Sequence, residues 1–278
     1  MRNAEVVQLV EHTIPIVDGG SIPTLPLHFI AIEKRKATEL IIEHHYLHRR
    51  CPVSWAWGIE AGGKILGVMT VGKPCSWSAT CGVVGEKYAA MKNPEARSKD
   101  VYELNRLWVS DLLPRNTESQ FVGWCLRQLR VIQPNVILIS YADSSRKNPN
   151  GIPHIGTVYQ ATKWIYTGTS SAFTDITFAG YSKSRNMPLE KRGARVGNKR
   201  ARLSDPTSIR TTRSPKYRYV WFANSEDKRL LAWLEKPYPT RDGSQRGICS
   251  DCGATFPSNR QRRKHVEREH TVAEEEIA

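Results

Sequence analysis

Apolar residues along the chain fall into short runs with two rhythms, one alternating and one spaced as on a helix. Residues 28–33 (HFIAIE) read as a first strand, and a helix is expected over 36–45, where Leu40, Ile41 and Ile42 precede the polar stretch 44–50 (HHYLHRR). Residues 55–60 (WAWGIE) and 64–72 (KILGVMTVG) flank Ala61-Gly62-Gly63, a pattern that predicts a β-hairpin ended by Pro74. Over 101–109 (VYELNRLWV) alternation predicts a strand with Tyr102, Leu104, Arg106 and Trp108 on one face. Val101, Glu103, Asn105, Leu107 and Val109 are expected on the other. After the polar turn 113–119 (LPRNTES), a helix is expected from about Ser119 to Ile132, stopped by Pro134. Residues 136–142 (VILISYA) are almost continuously apolar, as a buried strand requires. A short helix at 156–163, a strand at 164–167, a strand at 216–222 and a helix at 225–234 capped by Ser225 complete the pattern. The mixture is that of an α/β protein.

Composition adds a partner class. The 278 residues are 40% hydrophobic, enough for a substantial core, and carry 41 Lys plus Arg against 27 Asp plus Glu, a formal net charge of +14. Nucleic acid is the first partner such a charge suggests and an anionic membrane the second. The N-terminal stretch is interrupted by Glu5, Glu11 and His12, unlike a signal peptide, and no run approaches the ~18 apolar residues of a spanning helix. The expectation is a soluble protein of the cytoplasm, with no membrane association. Of the 6 cysteines, Cys51, Cys75, Cys81 and Cys125 show no metal or disulfide rhythm, whereas Cys249 and Cys252 form a C-x-x-C.

The charge is concentrated. From Lys183 to Arg218 there are 12 Lys or Arg and two acids, with Pro188, Pro206 and Pro215 and few apolar residues. This reads either as a solvated linker or as a segment that tracks phosphates, with Lys191, Arg192, Arg195, Lys199 and Arg200 as its DNA-contacting residues. The chain accordingly divides into a catalytic unit (1–182), a basic segment (183–215), a strand and helix packing on that unit (216–240) and a C-terminal module (247–272).

That module carries the most specific motif, Cys249-x2-Cys252-x12-His265-x4-His270. Two thiolates and two imidazoles at this spacing close a tetrahedron around structural Zn²⁺, the pattern of a C2H2 zinc finger. Phe256 falls where the small core needs an aromatic, while Arg262 stands where such fingers bury a leucine. Docked in a major groove, the finger would turn Ser258, Gln261 and Lys264 toward bases. One finger binds weakly alone, so it is expected to add affinity or orientation for the larger unit.

Three clusters are candidates for chemistry. His44-His45-Tyr46-Leu47-His48 offers imidazoles for a metal such as iron if His44 and His48 share a helix face, or His45 and Tyr46 for acid–base work or base stacking. Around Glu103-Leu104-Asn105-Arg106 and the turn that follows, Arg106, Arg115, Asn116 and Ser119 fit a phosphate-rich donor placed at a helix N-terminus, or simply a capped helix. Finally Ser140-Tyr141-Ala142-Asp143, with His154 and Tyr159, sets polar residues at the end of a buried strand, where open sheets gather catalytic groups.

The strand–turn–helix at 101–132 and the strand, helix and strand that follow resemble the second half of the GNAT acyltransferase fold. The resemblance implies a mixed, largely antiparallel central sheet flanked by helices, with an acyl donor entering between two splayed strands. More specifically, HHYLHR, the WGI…GGKILGV hairpin, ELNRLWV, SYAD and H-x-G-x-x-YQA-x-x-W-x-Y-x-G resemble the phage Mom adenine-modification family over about residues 28–168. That family adds a carbamoylmethyl group to adenine N6 in double-stranded phage DNA, which protects it from host restriction. The resemblance marks Tyr46, Arg106, Ser119, Asp143 and Tyr159. Asp143 is expected as base, Tyr159 as acid toward the leaving group, Arg106 and Ser119 as holders of an acyl-coenzyme A or aminoacyl-tRNA donor, and Tyr46 with His45 as a support for an everted base. Two other readings stand beside it: transfer to a protein or RNA amine, and a non-catalytic zinc-finger regulator that binds DNA.

Overall fold

The computed structural model describes residues 8–10, 26–143, 145, 151, 153–177, 209–240, 252–254, 261, 264 and 265; residues 8–10, 173–177 and 209–213 are described by backbone alone. In chain order the elements are β1 (Gln8–Val10), β2 (Leu27–Ala31), α1 (Lys34–His44), β3 (Trp55–Ala61), β4 (Lys64–Gly72), α2 (Trp77–Gly82), β5 (Val101–Val109), α3 (Thr117–Ile132) and β6 (Ile137–Ala142). They continue with α4 (Thr157–Ala161), β7 (Ile165–Thr169), β8 (Phe173–Thr177), β9 (Ile209–Arg213) and β10 (Tyr217–Phe222). Short 3-10 helices lie at Tyr88–Lys92, Arg97–Asp100 and Ser225–Leu230.

One 8-stranded sheet runs in the order β1-β2-β3-β4-β5-β6-β10-β7, and β8 and β9 form a separate pair. Every neighbour in the large sheet is antiparallel except β5 and β6. The mixed, largely antiparallel sheet flanked by helices is therefore present as expected. The hairpin forms as the glycine pair requires: Gly62 and Gly63 take φ of 56° and 78°, which cost a glycine little.

Alternating side chains build two faces. On one face α3 and α4 bury Phe121, Trp124, Leu129, Val158 and Tyr159 against Phe29, Trp57, Met69, Leu138, Tyr219 and Trp221. Elsewhere α1 seats Ala37, Leu40 and Ile41 on Ala56 and Val68. Ile137, Ile139, Val220 and Phe222 are covered by Val83, Leu231 and Trp233. Apolar burial on this scale is the main driving force of the fold.

The strand at 216–222 does more than pack on the sheet. As β10 it lies inside it, paired with β6 on one side and β7 on the other. Tyr219 donates to the Ile155 carbonyl at 2.5 Å and Tyr238 to the Trp164 carbonyl at 2.5 Å, so residues up to 240 are stitched to the same body. Arg97 joins Asp100 at 3.0 Å and Asp227 at 2.5 Å, tying the start of β5 to the segment after β10. The helix expected at 225–234 is a 3-10 turn, and its cap is Asn224, whose side chain accepts from the Glu226 amide at 3.1 Å.

β5 departs from its expected alternation. Thr70 pairs with Arg106 and Val71 with Leu104, so Asn105 is an extra residue in a bulge. The bulge reverses the phase. Tyr102, Leu104, Leu107 and Val109 all pack on the main core, while Trp108 goes to the α1 face. Glu103 and Arg106, expected on opposite faces, thereby share one. Asn105 fills the bulge by donating to the Pro52 carbonyl at 2.7 Å and accepting from Thr70 at 2.8 Å.

Among the described residues, no helix is long and apolar enough to cross a membrane.

Candidate active site

The site arises where β5 and β6 stop pairing. Their parallel register runs from Val101↔Ile137 to Glu103↔Ile139 and ends there, although β5 continues to Val109 along β4. Beyond Glu103 the strands part, and a cleft of about 620 Å³ opens between them. This volume is within the range of small-ligand and cofactor sites.

The parting would leave the Leu104 carbonyl without a strand partner. Ser140 on β6 supplies one: its Oγ is 2.8 Å from that oxygen and 2.8 Å from the Tyr159 hydroxyl. A serine has one hydrogen, and only the hydroxyl pair can exchange roles, so Ser140 donates to the carbonyl and Tyr159 donates to Ser140. Tyr159, 5% exposed, projects from α4 into the cleft wall, and burial pushes its phenol well up. α4 begins at Gly156, whose φ of 77° and tight approach to the Tyr159 and Tyr219 rings leave no room for a side chain.

Charged groups line the cleft from several elements: Glu103 and Arg106 from β5, Glu118 from the first turn of α3, and Lys216 from the entry to β10. Burial pushes the Glu103 carboxyl up to about 7 against the downward pull of Arg106 and Lys216. Desolvation raises Glu118 too, and lowers His154, which also lines the cleft. Tyr141 is pushed up to about 12, first by burial and then by the charge on Glu103. Arg106 hydrogen-bonds the Asn105 carbonyl through Nη1, but its buried Nε has no partner. Arg106 lines the cleft, so its guanidinium is a place for an acceptor atom of a ligand.

The mouth is formed by the chain after α1. His45, 6% exposed, accepts from the Leu47 amide at 3.2 Å through Nδ1, and its ring stacks on Tyr46 at 4.3 Å. Tyr46 is 43% exposed, an aromatic face presented at the entrance. The neighbouring histidines do not form the helix-face pair that a metal would use. α1 ends at His44, which stacks on Trp108 at 4.1 Å, while His48 sits in a turn with φ 44° and donates through Nδ1 to the Ile42 carbonyl at 2.8 Å. Among the described residues, no three His, Cys, Asp or Glu side chains gather as a metal site would need.

Of the residues marked from sequence, the cleft brings together His45, Tyr46, Arg106 and Tyr159. Asp143 is not among the lining residues, although its carboxylate acts on two that are, Lys216 and His154. Its Oδ1 accepts from the Ser145 amide at 3.1 Å and hydroxyl at 2.6 Å, and its Oδ2 faces Lys216 at 3.6 Å. Ser119 is elsewhere, in a second cavity of about 610 Å³ between α3 and the end of α4, and donates to the Asn116 carbonyl at 2.9 Å. Arg115 and Asn116 are exposed in the turn before α3, and Asn116 takes a φ of 70°. Glu103, Glu118 and Lys216 received no role from sequence. The signal for Glu103 lay in the ELNR stretch, but strict alternation set it apart from Arg106.

Cys252 Sγ is 3.2 Å from His265 Nε2, so two of the four expected zinc ligands are neighbours, and Gln261 and Lys264 are exposed. Cys249, His270, Ser258, Phe256 and Arg262 lie outside the described residues, as do Lys191, Arg192, Arg195, Lys199 and Arg200.

The model of the Mom protein family matches residues 26–240. The methylcarbamoylase Mom of Escherichia phage Mu is 26% identical over 213 residues, which are 75% of this chain and 78% of that protein. Among solved structures, an N-acetyltransferase from Staphylococcus aureus Mu50 aligns over 71% of this chain and 99% of its own, at 12% identity and a TM-score of 0.36. A mosquito arylalkylamine N-acetyltransferase-like protein aligns over 70% and 99%, at 7% identity and a TM-score of 0.37.

Proposed function

Since the chain belongs to the Mom protein family, we propose that it is a DNA-modifying transferase that attaches a carbamoylmethyl-type group to the N6 amine of adenine in phage DNA, shielding that DNA from host restriction. The relative from phage Mu is a methylcarbamoylase, which supports the reaction class. The observation that carries the reading is the cleft at the parting of β5 and β6, where Glu103, Arg106, Tyr159, His45 and Tyr46 meet around about 620 Å³.

Each residue has a task that its surroundings support. Tyr46, stacked on His45 and exposed at the mouth, offers a face on which an everted purine can rest. The guanidinium of Arg106, which lines the cleft, fits a carbonyl or phosphoryl oxygen of the donor. Acyl-coenzyme A and aminoacyl-tRNA both carry such oxygens next to an activated carbonyl; attack at that carbonyl forms an amide at N6, and a glycyl amide is the isomer of the carbamoylmethyl amine, whose nitrogen is bonded to the methylene carbon. Ser140 and Tyr159 hold the splayed strands at the width the donor needs. Asp143 fits a positioning role, fixing Lys216 at the cleft wall.

The amine of adenine is a weak nucleophile because its lone pair is delocalised into the ring, so alignment with the donor supplies much of the acceleration. Eversion costs a few kcal/mol, on the order of what backbone contacts can offset. The basic residues Lys191, Arg192, Arg195, Lys199 and Arg200, and a finger closed on zinc by Cys249, Cys252, His265 and His270, supply those contacts with Ser258, Gln261 and Lys264 on its outer face. The 3.2 Å between Cys252 Sγ and His265 Nε2 suits two ligands of one tetrahedral ion.

Mass spectrometry of nucleosides from cells expressing the chain is the test. The expected result is a deoxyadenosine derivative with a carbamoylmethyl mass increment that disappears in an Arg106→Ala strain. Unmodified DNA together with a modified protein or RNA amine would move the acceptor. Unmodified nucleosides throughout, with DNA binding retained, would leave a non-catalytic regulator.

A further inference from the structure

Transfer to an amine releases a proton, and the groups assigned so far do not receive it. Asp143 is held by Ser145 and Lys216 and does not line the cleft, and the Tyr159 hydroxyl is spent on Ser140. Among the described residues three carboxylates line the cleft, Glu103, Asp111 and Glu118, and Glu103 is the one at the point where the strands diverge. Glu103 is the last β5 residue in register with β6, and the Asn105 bulge sets it on the same face as Arg106. We infer that Glu103 is the catalytic base of the transfer, taking the proton from the acceptor amine inside the cleft. The inference rests on the cleft being the transfer site.

In the step, an N–H bond of the amine breaks and its proton goes to a Glu103 carboxylate oxygen. The nitrogen electron pair forms the bond to the donor's activated carbonyl carbon, giving an amide at N6, which for a glycyl donor is the isomer of the carbamoylmethyl amine. The bond from that carbon to its leaving group breaks, and the pair departs with a thiolate or alkoxide of the donor. Glu103 then gives its proton to the leaving group or to water.

The charged and titratable groups around Glu103 come from every neighbouring element. Arg106 is on its own strand and Asp111 just after it, His45 and Tyr46 follow α1, Tyr141 is on β6, Tyr159 on α4, Glu118 on α3, Lys216 at β10 and His154 before α4. Desolvation and the two cations act in opposite directions, and the balance leaves the carboxyl titrating at about 7. A base at that value is ionised in about half the molecules at neutral pH and still binds a proton well, the compromise acid–base catalysis favours. An ordinary exposed glutamate would be fully ionised and a much weaker base.

The test uses the full chain, a synthetic duplex containing adenines, and an extract of the expressing cells as donor source, buffered from pH 5.5 to 8.5. Product nucleoside is followed in the first turnover. Wild type is expected to show an acidic limb with its midpoint near neutrality. Glu103→Gln should lose roughly 10²-fold or more in rate and lose the limb with it, while Glu103→Asp keeps a displaced limb. Asp143→Asn should retain the limb. Melting of each variant and its binding to the same duplex show that the site has folded. Product from Glu103→Gln with the acidic limb unchanged overturns the assignment alone. Absence of product from wild type overturns the transfer reading and the assignment together.

Discussion

The Ser140 hydroxyl lies 2.8 Å from the carbonyl oxygen of Leu104, across the point where two strands stop pairing. A side chain there does what the next backbone amide would have done, and the sheet can open without orphaning its own polar groups. Ser140→Ala leaves both the Leu104 carbonyl and the Tyr159 hydroxyl unsatisfied in a buried place, so it should cost ~1–3 kcal/mol in urea unfolding. Tyr159→Phe should cost less, since Ser140 still reaches the carbonyl. Equal losses from the two changes would show that the carbonyl is not the partner that matters.

Arg106 gives a sharper separation between charge and shape. Arg106→Lys keeps the cation but removes the planar, forked guanidinium that lines the cleft. The expected effect is roughly a tenfold or greater rise in the donor concentration needed for half-maximal modification, with little change at saturation. Titrating the donor extract against a fixed amount of duplex measures it.

Glu103 predicts a stability change with a definite sign. Its folded carboxyl titrates at about 7, above the usual 4.5. Between those values the unfolded chain gives up a proton that the folded one keeps, so rising pH removes stability through this window and the penalty is complete above it. Glu103→Gln should therefore match wild type in melting at pH 4 and exceed it at pH 8, by about 1–3 kcal/mol after allowance for the side chain's partial exposure. An advantage equal at both pH values would point to packing.

Gly72 is required by a close approach. A Cβ there would collide with the Pro52 carbonyl and press on Asn105 Nδ2, the pair that closes the bulge. Gly72→Ala is expected to cost roughly 1–3 kcal/mol and to lower activity, because the bulge sets where Glu103 and Arg106 point. At Gly63 a Cβ meets nothing within 4 Å, so Gly63→Ala carries only the strain of φ +78°, about 1 kcal/mol, and should leave activity alone. Denaturant melts of the two variants side by side decide this.

The zinc reading predicts one ion per chain by elemental analysis, released by a strong chelator and lost in Cys252→Ser. Removal should weaken DNA binding severalfold and leave the melting of the large sheet in place. A chain without zinc that binds DNA as tightly as the metal-loaded one would disprove the role.

Much of the sheet could be read directly because its strands are apolar runs and its hairpin turns on glycine. The hairpin at 55–72, β5 and the apolar β6 all fall within a residue or so of their expected places. Two kinds of feature escaped. The first is local: the extra residue at Asn105 breaks alternation without changing composition, so the pattern mistook which side chains share a face. The second is distant in sequence: nothing near Tyr217–Phe222 tells that β10 slots between β6 and β7, or that Lys216 thereby reaches the cleft and faces Asp143. The same distance explains why Ser119, attractive beside Arg115 on paper, opens on a different cavity from Glu118 one residue earlier.

Because β10 is clasped by β6 and β7 and the ends of β8 and β9 meet at Thr177 and Ile209, the intervening basic stretch 178–208 is an insert leashed at both ends. A protease that nicked it would sever the polypeptide without shedding either fragment, for the sheet itself would hold them together. A nucleic acid engaged by those cations would thus be tethered through β8 and β9 to the chain that shapes the cleft.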